Sequence, residues 1–367
     1  MSFAILGLGT AVPPLAITNE EGVRVAEAIC RPTEEQAAWL RTTYLRTGIE
    51  RRHLAFPHQA LVDLLQGTKV SRSVFLPAES GEHGPTTSQR MQHYAENAAP
   101  LALRAAGEAL ARSGLVPGEV THLVTVSCTG FRAPGVDFEL ITGLGLPPTT
   151  QRTHVGFMGC HAALNALRVA RAFTDADPDA CVLVCAVELC GAHFHYGWDA
   201  EKAIANALFA DGAAAVVGVA AGRAPAGAWR VAATGSCLLP DSRGDMGWTI
   251  GDHGFEMTLS ARVPTLIARY LRPWLERWLE ENGLGAGEVG SWAVHPGGPR
   301  ILEGVEEALG LPRQVTAAAH EVLATHGNMS SPTVLFILDR LQERRAPRPC
   351  VALAFGPGLT AEAVLFH

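Results

Sequence analysis

The chain lacks several features that would each have fixed its class. No apolar run approaches roughly 18 residues, so no membrane-spanning helix is expected. No early stretch joins a charged start, an apolar core and a small-residue cleavage site, so no export signal is expected. Lys and Arg are not gathered into a run and the formal net charge is -7, which argues against nucleic acid as the main partner. Low-complexity tracts and long linkers are missing as well. These absences point to a cytoplasmic protein with no stable membrane insertion.

Cysteine is present, but not in metal or redox spacing. The eight cysteines are Cys30, Cys128, Cys160, Cys181, Cys185, Cys190, Cys237 and Cys350, and no two form a C-x-x-C pair. The segment Cys181–Val187 reads as a continuous apolar strand rather than a zinc knuckle, so no metal site is expected. Most of these thiols are read as buried small hydrophobes.

With 367 residues, 48% of them hydrophobic, the chain can bury a large core and fill roughly two to three domains. Strand-like and helical stretches alternate. Phe3–Leu8 reads as a strand ending in Gly-Leu-Gly-Thr. Thr86 to Gln89 reads as a capping box that opens a long helix closed at Gly114. His122–Ser127, Cys181–Val187 and Ala213–Val219 read as buried strands, and Cys160–Phe173 as a helix. The later part repeats the rhythm, with strands at Trp229–Thr234, Ser291–Val294, Cys350–Phe355 and Ala361–Phe366. Its helices are expected at Val263–Glu281, Pro299–Leu309 and Ser331–Gln342. This pattern predicts a layered α/β fold with buried sheets. Ala220–Ala228, rich in Ala, Gly and Pro, marks the expected boundary between residues 1–224 and 225–367.

Three separated segments look like parts of one active site: Gly159-Cys160-His161, His295-Pro296-Gly297-Gly298-Pro299 and His326-Gly327-Asn328-Met329-Ser330-Ser331. Cys160, at a helix mouth, is the candidate nucleophile. The helix N-terminus is expected to lower its pKa, and its own N–H could serve as an oxyanion donor. His295 closes a strand at the edge where α/β proteins place ligands. Asn328 opens a helix and could equally be a turn residue. His161 and His326 are second-choice bases.

Together these segments resemble chalcone-synthase-like type III polyketide synthases. Leu208-Phe209-Ala210-Asp211-Gly212-Ala213-Ala214-Ala215 and Ala354-Phe355-Gly356-Pro357-Gly358 are similar to further signatures of that family, the second with its first glycine replaced. Ala133-Pro134-Gly135-Val136-Asp137 and Gly254 through Val263-Pro264 extend the resemblance over nearly the whole chain. The resemblance implies a thiolase fold, layered αβαβα with two similar halves, and a homodimer. It also implies decarboxylative condensation of malonyl-CoA onto an acyl-CoA starter. Coenzyme A thioesters would then be substrates, and no cofactor would be tightly bound. Cys160 would carry the acyl group. His295 would keep the thiol ionised and, with Asn328, would bind the malonyl thioester carbonyl while CO2 leaves and an enolate forms. Cyclisation would give a pyrone or a phenolic product.

By the same matching Phe209 would gate the cavity, with Met257 in place of a second gatekeeper phenylalanine and Phe255 on the same strand face. The cavity wall would include Cys128, Thr129, Cys190, Ala192, His193, Trp248 and Ser330. Trp248 and His193 replace smaller residues and would shrink or reshape the space. Gly356, Pro357 and Gly358 would form the cyclisation loop, and Arg46 and Arg41 the contacts to the CoA phosphates. Ala133 stands where the family places a methionine that crosses the dimer interface. Two other readings remain: a ketoacyl synthase III-like enzyme fed by acyl carrier protein, and a non-catalytic acyl-CoA-binding protein. The HPGGP segment disfavours the first, and an intact Cys160, His295 and Asn328 disfavours the second.

Overall fold

The computed structural model describes residues 2–77 and 83–367. Nine strands form one sheet in the order Ser291–Val294, Cys350–Gly356, Thr360–Phe366, Trp229–Leu238, Phe3–Ala11, Asp211–Ala220, Cys181–Leu189, His122–Ser127 and Gln151–Gly156. The two halves of this sheet follow the same pattern. Phe3–Ala11 pairs antiparallel with Asp211–Ala220, which pairs antiparallel with Cys181–Leu189, which lies parallel to His122–Ser127. Trp229–Leu238, Thr360–Phe366, Cys350–Gly356 and Ser291–Val294 repeat those relations in that order. Pairing of Phe3 with Val231 and Ile5 with Trp229 joins the halves.

Side-chain alternation builds the layers. Val182, Val184, Ala186, Ala214 and Val216 point to one face of the sheet and pack with the helix Ala162–Ala176. Cys181, Leu183, Cys185, Ala213 and Ala215 point to the other face, against the helix Thr87–Ser113. Cys181 and Cys185 are therefore core residues of an outer layer. The helices Ala162–Ala176 and Thr333–Glu343 each touch strands of both halves and form the middle layer. Val263–Glu281 and Pro299–Leu309 pack together against the second half. The result is a five-layer α/β arrangement of thiolase type.

The strand Phe3–Ala11 runs past the Leu8 end expected of it. A Cβ on Gly7 would stand 2.1 Å from the Ala109 carbonyl oxygen, and one on Gly9 would stand 2.3 Å from that of Ala105. Gly7 and Gly9 thus let an alanine-rich helix lie directly on the strand. That helix begins as its sequence indicates, with Thr86 accepting from the Gln89 N–H, and ends at Gly114 in the left-handed region. Among the described residues, no helix is long and apolar enough to cross a membrane.

Candidate active site

The site lies where strand ends from both halves converge. Cys128 and Thr129 follow the strand His122–Ser127. Phe157 to Cys160 follow Gln151–Gly156, and Cys190 follows Cys181–Leu189. From the second half, His295 follows Ser291–Val294, and Gly356 ends its neighbour. Parallel neighbours send their C-terminal ends to the same edge, so residues distant in sequence become neighbours there.

Cys160 sits in the turn before the helix Ala162–Ala176 and is 8% exposed. Gly159 makes that turn possible. Its φ is +83°, and a Cβ would meet the Pro357 ring at 2.3 Å. Gly356 is equally tight, since a Cβ would come within 2.3 Å of the His161 ring. The Gly356-Pro357-Gly358 loop is thereby wedged against the nucleophile turn. Burial pushes Cys160 up to about 11, against hydrogen bonds from Ser330 and Asn328 that pull the other way. Taking a thiolate out of water costs more here than those two hydrogen bonds return.

Asn328 is brought to Cys160 by a cross-connection between the halves. Its N–H donates to the Leu208 carbonyl at 2.9 Å, and the Ala210 N–H donates to the Asn328 carbonyl at 2.8 Å. This bridge fixes Phe209 beside Asn328. The Asn328 side chain is held at both ends, with Nδ2 donating to the Gly297 carbonyl at 3.3 Å and Oδ1 accepting from the Ser330 N–H at 2.8 Å. Ser330 adopts φ +60°, an uncommon value for a residue with a Cβ, and is 5% exposed.

His295 is 1% exposed, and neither ring nitrogen has a hydrogen-bond partner within the described residues. Burial, reinforced by nearby His161, holds it down at about 3. Burial thus works on both groups, the Cys160 thiol and the His295 ring, in the direction of the uncharged form. His161 is held by Asn165, its Nδ1 lying 2.7 Å from Oδ1. His326 stacks on His53 and lies outside the cavity.

A cavity of about 480 Å³ opens from Cys160 and Ser330 past Phe209, Met257 and Phe255 to the surface. Cys128, Thr129, Cys190, His193, Trp248 and Pro357 also line it. Ala192 is 2% exposed and packs in the outer core rather than on the lining. His193 and Phe255 stack with centroids 4.2 Å apart, and Trp248 stands edge-on to both. His193 is locked as one neutral tautomer: Nδ1 accepts from the Phe255 N–H at 2.9 Å, while Nε2 donates to the Thr129 carbonyl at 2.7 Å. Burial holds it near 3, so it serves as wall and not as base. The Trp248 indole N–H donates to the Cys128 carbonyl at 2.8 Å. Arg41 is tied to Glu27 at 2.5 Å, and Arg46 is exposed; neither lines the cavity.

Glu188 belongs to no motif that the sequence singles out. It is fully buried under the site and accepts from the Ser331 hydroxyl at 2.6 Å, the Thr129 hydroxyl at 2.7 Å and the Cys128 N–H at 2.8 Å. Its one signal in the chain is a lone acid near the end of the otherwise apolar Cys181–Leu189 strand. Burial raises it to about 7, above its ordinary 4.5. Between those values the folded state holds a proton that the unfolded chain has released, so this group's contribution to stability falls as pH rises. In thermal unfolding, Glu188→Gln is expected to gain several degrees relative to the natural protein between about pH 5 and 8. An equal gap at both pH values would mean that Glu188 titrates normally.

A buried cysteine reached by Ser330 and Asn328, a buried histidine with no hydrogen-bond partner among the described residues, and a largely apolar cavity, on a five-layer fold, fit an acyl-transferring condensing enzyme. Comparison with known proteins agrees. Residues 3–222 match "Chalcone and stilbene synthases, N-terminal domain" and residues 230–367 match the corresponding C-terminal domain. The chain belongs to the chalcone and stilbene synthase family and is a type III polyketide synthase. It is 33% identical to the alpha-pyrone synthesis polyketide synthase-like Pks18 of Mycobacterium tuberculosis, over 99% of this chain and 90% of that protein. It is 32% identical to the 1,3,6,8-tetrahydroxynaphthalene synthase of Streptomyces peucetius, over 99% and 93%. The crystal structure of PKS-I from the brown alga Ectocarpus siliculosus superposes with a TM-score of 0.92 at 33% identity, covering 100% of this chain and 98% of that one. Iterative condensation of malonyl-CoA onto an acyl-CoA starter is the family's reaction, and no tightly bound cofactor is required.

Proposed function

We propose that Cys160 takes the starter acyl group as a thioester, and that His295 and Asn328 serve the malonyl half of the reaction. The observation that carries this reading is the His295 ring, buried with both nitrogens unmatched. A polar group left so inside a fold costs stability unless a ligand completes it. As the starter thioester binds, the Cys160 proton passes to His295 and the sulfur attacks the carbonyl, expelling the CoA sulfur, which takes that proton from His295 and leaves as the free thiol. Malonyl-CoA then places its thioester oxygen on His295 and the Asn328 carboxamide. Loss of CO2 leaves an enolate whose charge these donors stabilise where water is excluded. The enolate carbon attacks the Cys160 thioester and displaces the Cys160 sulfur, leaving the lengthened chain on CoA; transfer of that chain back to Cys160 expels CoA and opens another cycle. No base is needed to make the carbanion, because decarboxylation supplies it.

Pyrone or phenolic closure fits the relatives, one named for alpha-pyrone synthesis and another for tetrahydroxynaphthalene. The family also supports a homodimer working in the cytoplasm. Products from malonyl-CoA with acetyl, fatty-acyl and aromatic CoA starters, read by mass spectrometry, test the assignment. Turnover only with malonyl-carrier protein would replace it with the carrier-dependent reading. CoA-ester binding with no acylation of Cys160 would replace it with the non-catalytic one.

The rigid His193, Trp248 and Phe255 wall is expected to limit product size. Trp248 is half-buried and donates one hydrogen bond, so Trp248→Ala should fold. It should shift the product spectrum toward larger polyketides and admit bulkier starters, seen as new higher-mass products. An unchanged spectrum would move the size limit elsewhere.

A further inference from the structure

The polar side chains of the buried cavity wall are committed to the protein itself. Thr129 Oγ1 donates to Glu188 at 2.7 Å and accepts from the Leu189 N–H at 2.9 Å. His193 has both ring nitrogens engaged, one by the Phe255 N–H and one by the Thr129 carbonyl. The Trp248 indole N–H is held by the Cys128 carbonyl, and the Tyr196 hydroxyl donates to the Phe75 carbonyl at 2.6 Å. Asn206 uses its carboxamide on the His195 backbone, accepting from the N–H and donating to the carbonyl, both at 2.9 Å. Ser330 is hydrogen-bonded to Cys160. Cys190, Met246 and Phe255 add carbon and sulfur surface to the same lining.

Charge is confined to the mouth. Asp199, Lys202, Asp252 and Glu256 line the outer end, where each is half-buried or exposed, and Lys202 is paired with Glu256 at 2.6 Å. Among the described residues, no Lys, Arg, Asp or Glu that lines the cavity is buried. The buried Arg90 does not line it, because its guanidinium serves the Pro85, Ala192 and Phe194 carbonyls. A hydroxyl or carboxylate carried into such a space loses its water and finds no free side-chain partner in exchange.

We infer that the starter acyl group has an uncharged tail with no hydrogen-bonding group of its own, and that Trp248 and His193 enforce this by closing the polar atoms of the wall on one another. This rests on the reading that Cys160 takes the starter as a thioester. The selection acts on the chemistry of the tail and is separate from the limit on product size. A pocket built to receive a hydroxyl keeps a donor or acceptor open for it. An apolar pocket instead disfavours an added hydroxyl, by up to about 100-fold.

The test uses starters that share one carbon chain: hexanoyl-CoA, 6-hydroxyhexanoyl-CoA and adipoyl-CoA, each with malonyl-CoA as extender. Products are assigned to their starter by mass. Relative to hexanoyl-CoA, kcat/KM for the starter should fall roughly 10- to 100-fold with the hydroxyl. With the carboxylate it should fall more than about 100-fold. Trp248→Phe removes the N–H that covers the Cys128 carbonyl and so opens an acceptor, and the hydroxyl gap should narrow several-fold. Cys190→Ala adds space but no polar partner, and should leave the gap in place. Comparable kcat/KM for all the starters, or a gap that closes as readily in Cys190→Ala as in Trp248→Phe, would overturn the inference. If none of the starters acylates Cys160, the catalytic reading fails instead. The Kd values of the same thioesters for Cys160→Ala, measured by calorimetry, then still decide the tail preference: the same order supports it and equal values overturn it.

Discussion

Cys160→Ala, supplied with malonyl-CoA and an acyl-CoA starter, is expected to form no acyl adduct. Product formation should fall by about 10⁴-fold or more. The thiol is the sole point of covalent attachment in the proposed route, and Ala keeps the turn while removing it. Intact-protein mass spectrometry reads the adduct, and product extraction reads the turnover. The fold should survive, because a cysteine replaced by alanine loses only one sulfur at a site that opens into a cavity. Cys128 and Cys190 line the same cavity, and burial holds both well above the ordinary thiol range. Neither sits in the turn at the start of the helix Ala162–Ala176, and the Cys128 sulfur is already engaged by the Gly159 backbone, so neither should substitute for Cys160. Undiminished condensation in this variant would sink the assigned nucleophile.

His295→Gln should separate the two half-reactions. Glutamine keeps an N–H but loses its placement, and it cannot accept the Cys160 proton as an imidazole does. Starter acylation should persist at a reduced rate. Release of CO2 from malonyl-CoA should drop about 10²- to 10³-fold, the usual loss when one oxyanion donor is removed. The pH profile of the natural protein gives a second check. Because burial and His161 hold the imidazole near 3, His295 is neutral across the working range. Decarboxylation should show no acidic limb from this group between about pH 5 and 8. An equal fall in acylation and decarboxylation would remove the division of labour proposed for His295.

Much of the fold is legible in the sequence. The alternation of strands and helices identifies the fold class because each buried strand is apolar throughout and each helix carries its own start and stop signals. Thr86 with Gln89 and the closing Gly114 show this well. Val263–Glu281, Ser291–Val294 and Pro299–Leu309 have the bounds expected of them. Helix starts are less readable at the site. The helices beginning at Ala162 and Thr333 each start two residues later than the pattern suggests, because Cys160 and Ser331 belong to the turns that present the chemistry. The end of the first strand is misplaced at Leu8 because Gly7 and Gly9, which let the helix Thr87–Ser113 approach, carry no strand signal of their own.

The sequence by itself determined the reaction class, since that is carried by residue type and by short motifs kept next to glycine. Only the tertiary structure decided the electrical state of the site. Burial raises the Cys160 thiol, lowers His295 and raises Glu188, and burial is a property of the packed layers rather than of neighbours in the chain. It also decided the shape of the cavity. His193 joins the wall formed by Trp248 and Phe255 from more than fifty residues away in the chain. His193 is a titratable group in the chain, but with both its ring nitrogens occupied in the fold it becomes a fixed part of that wall.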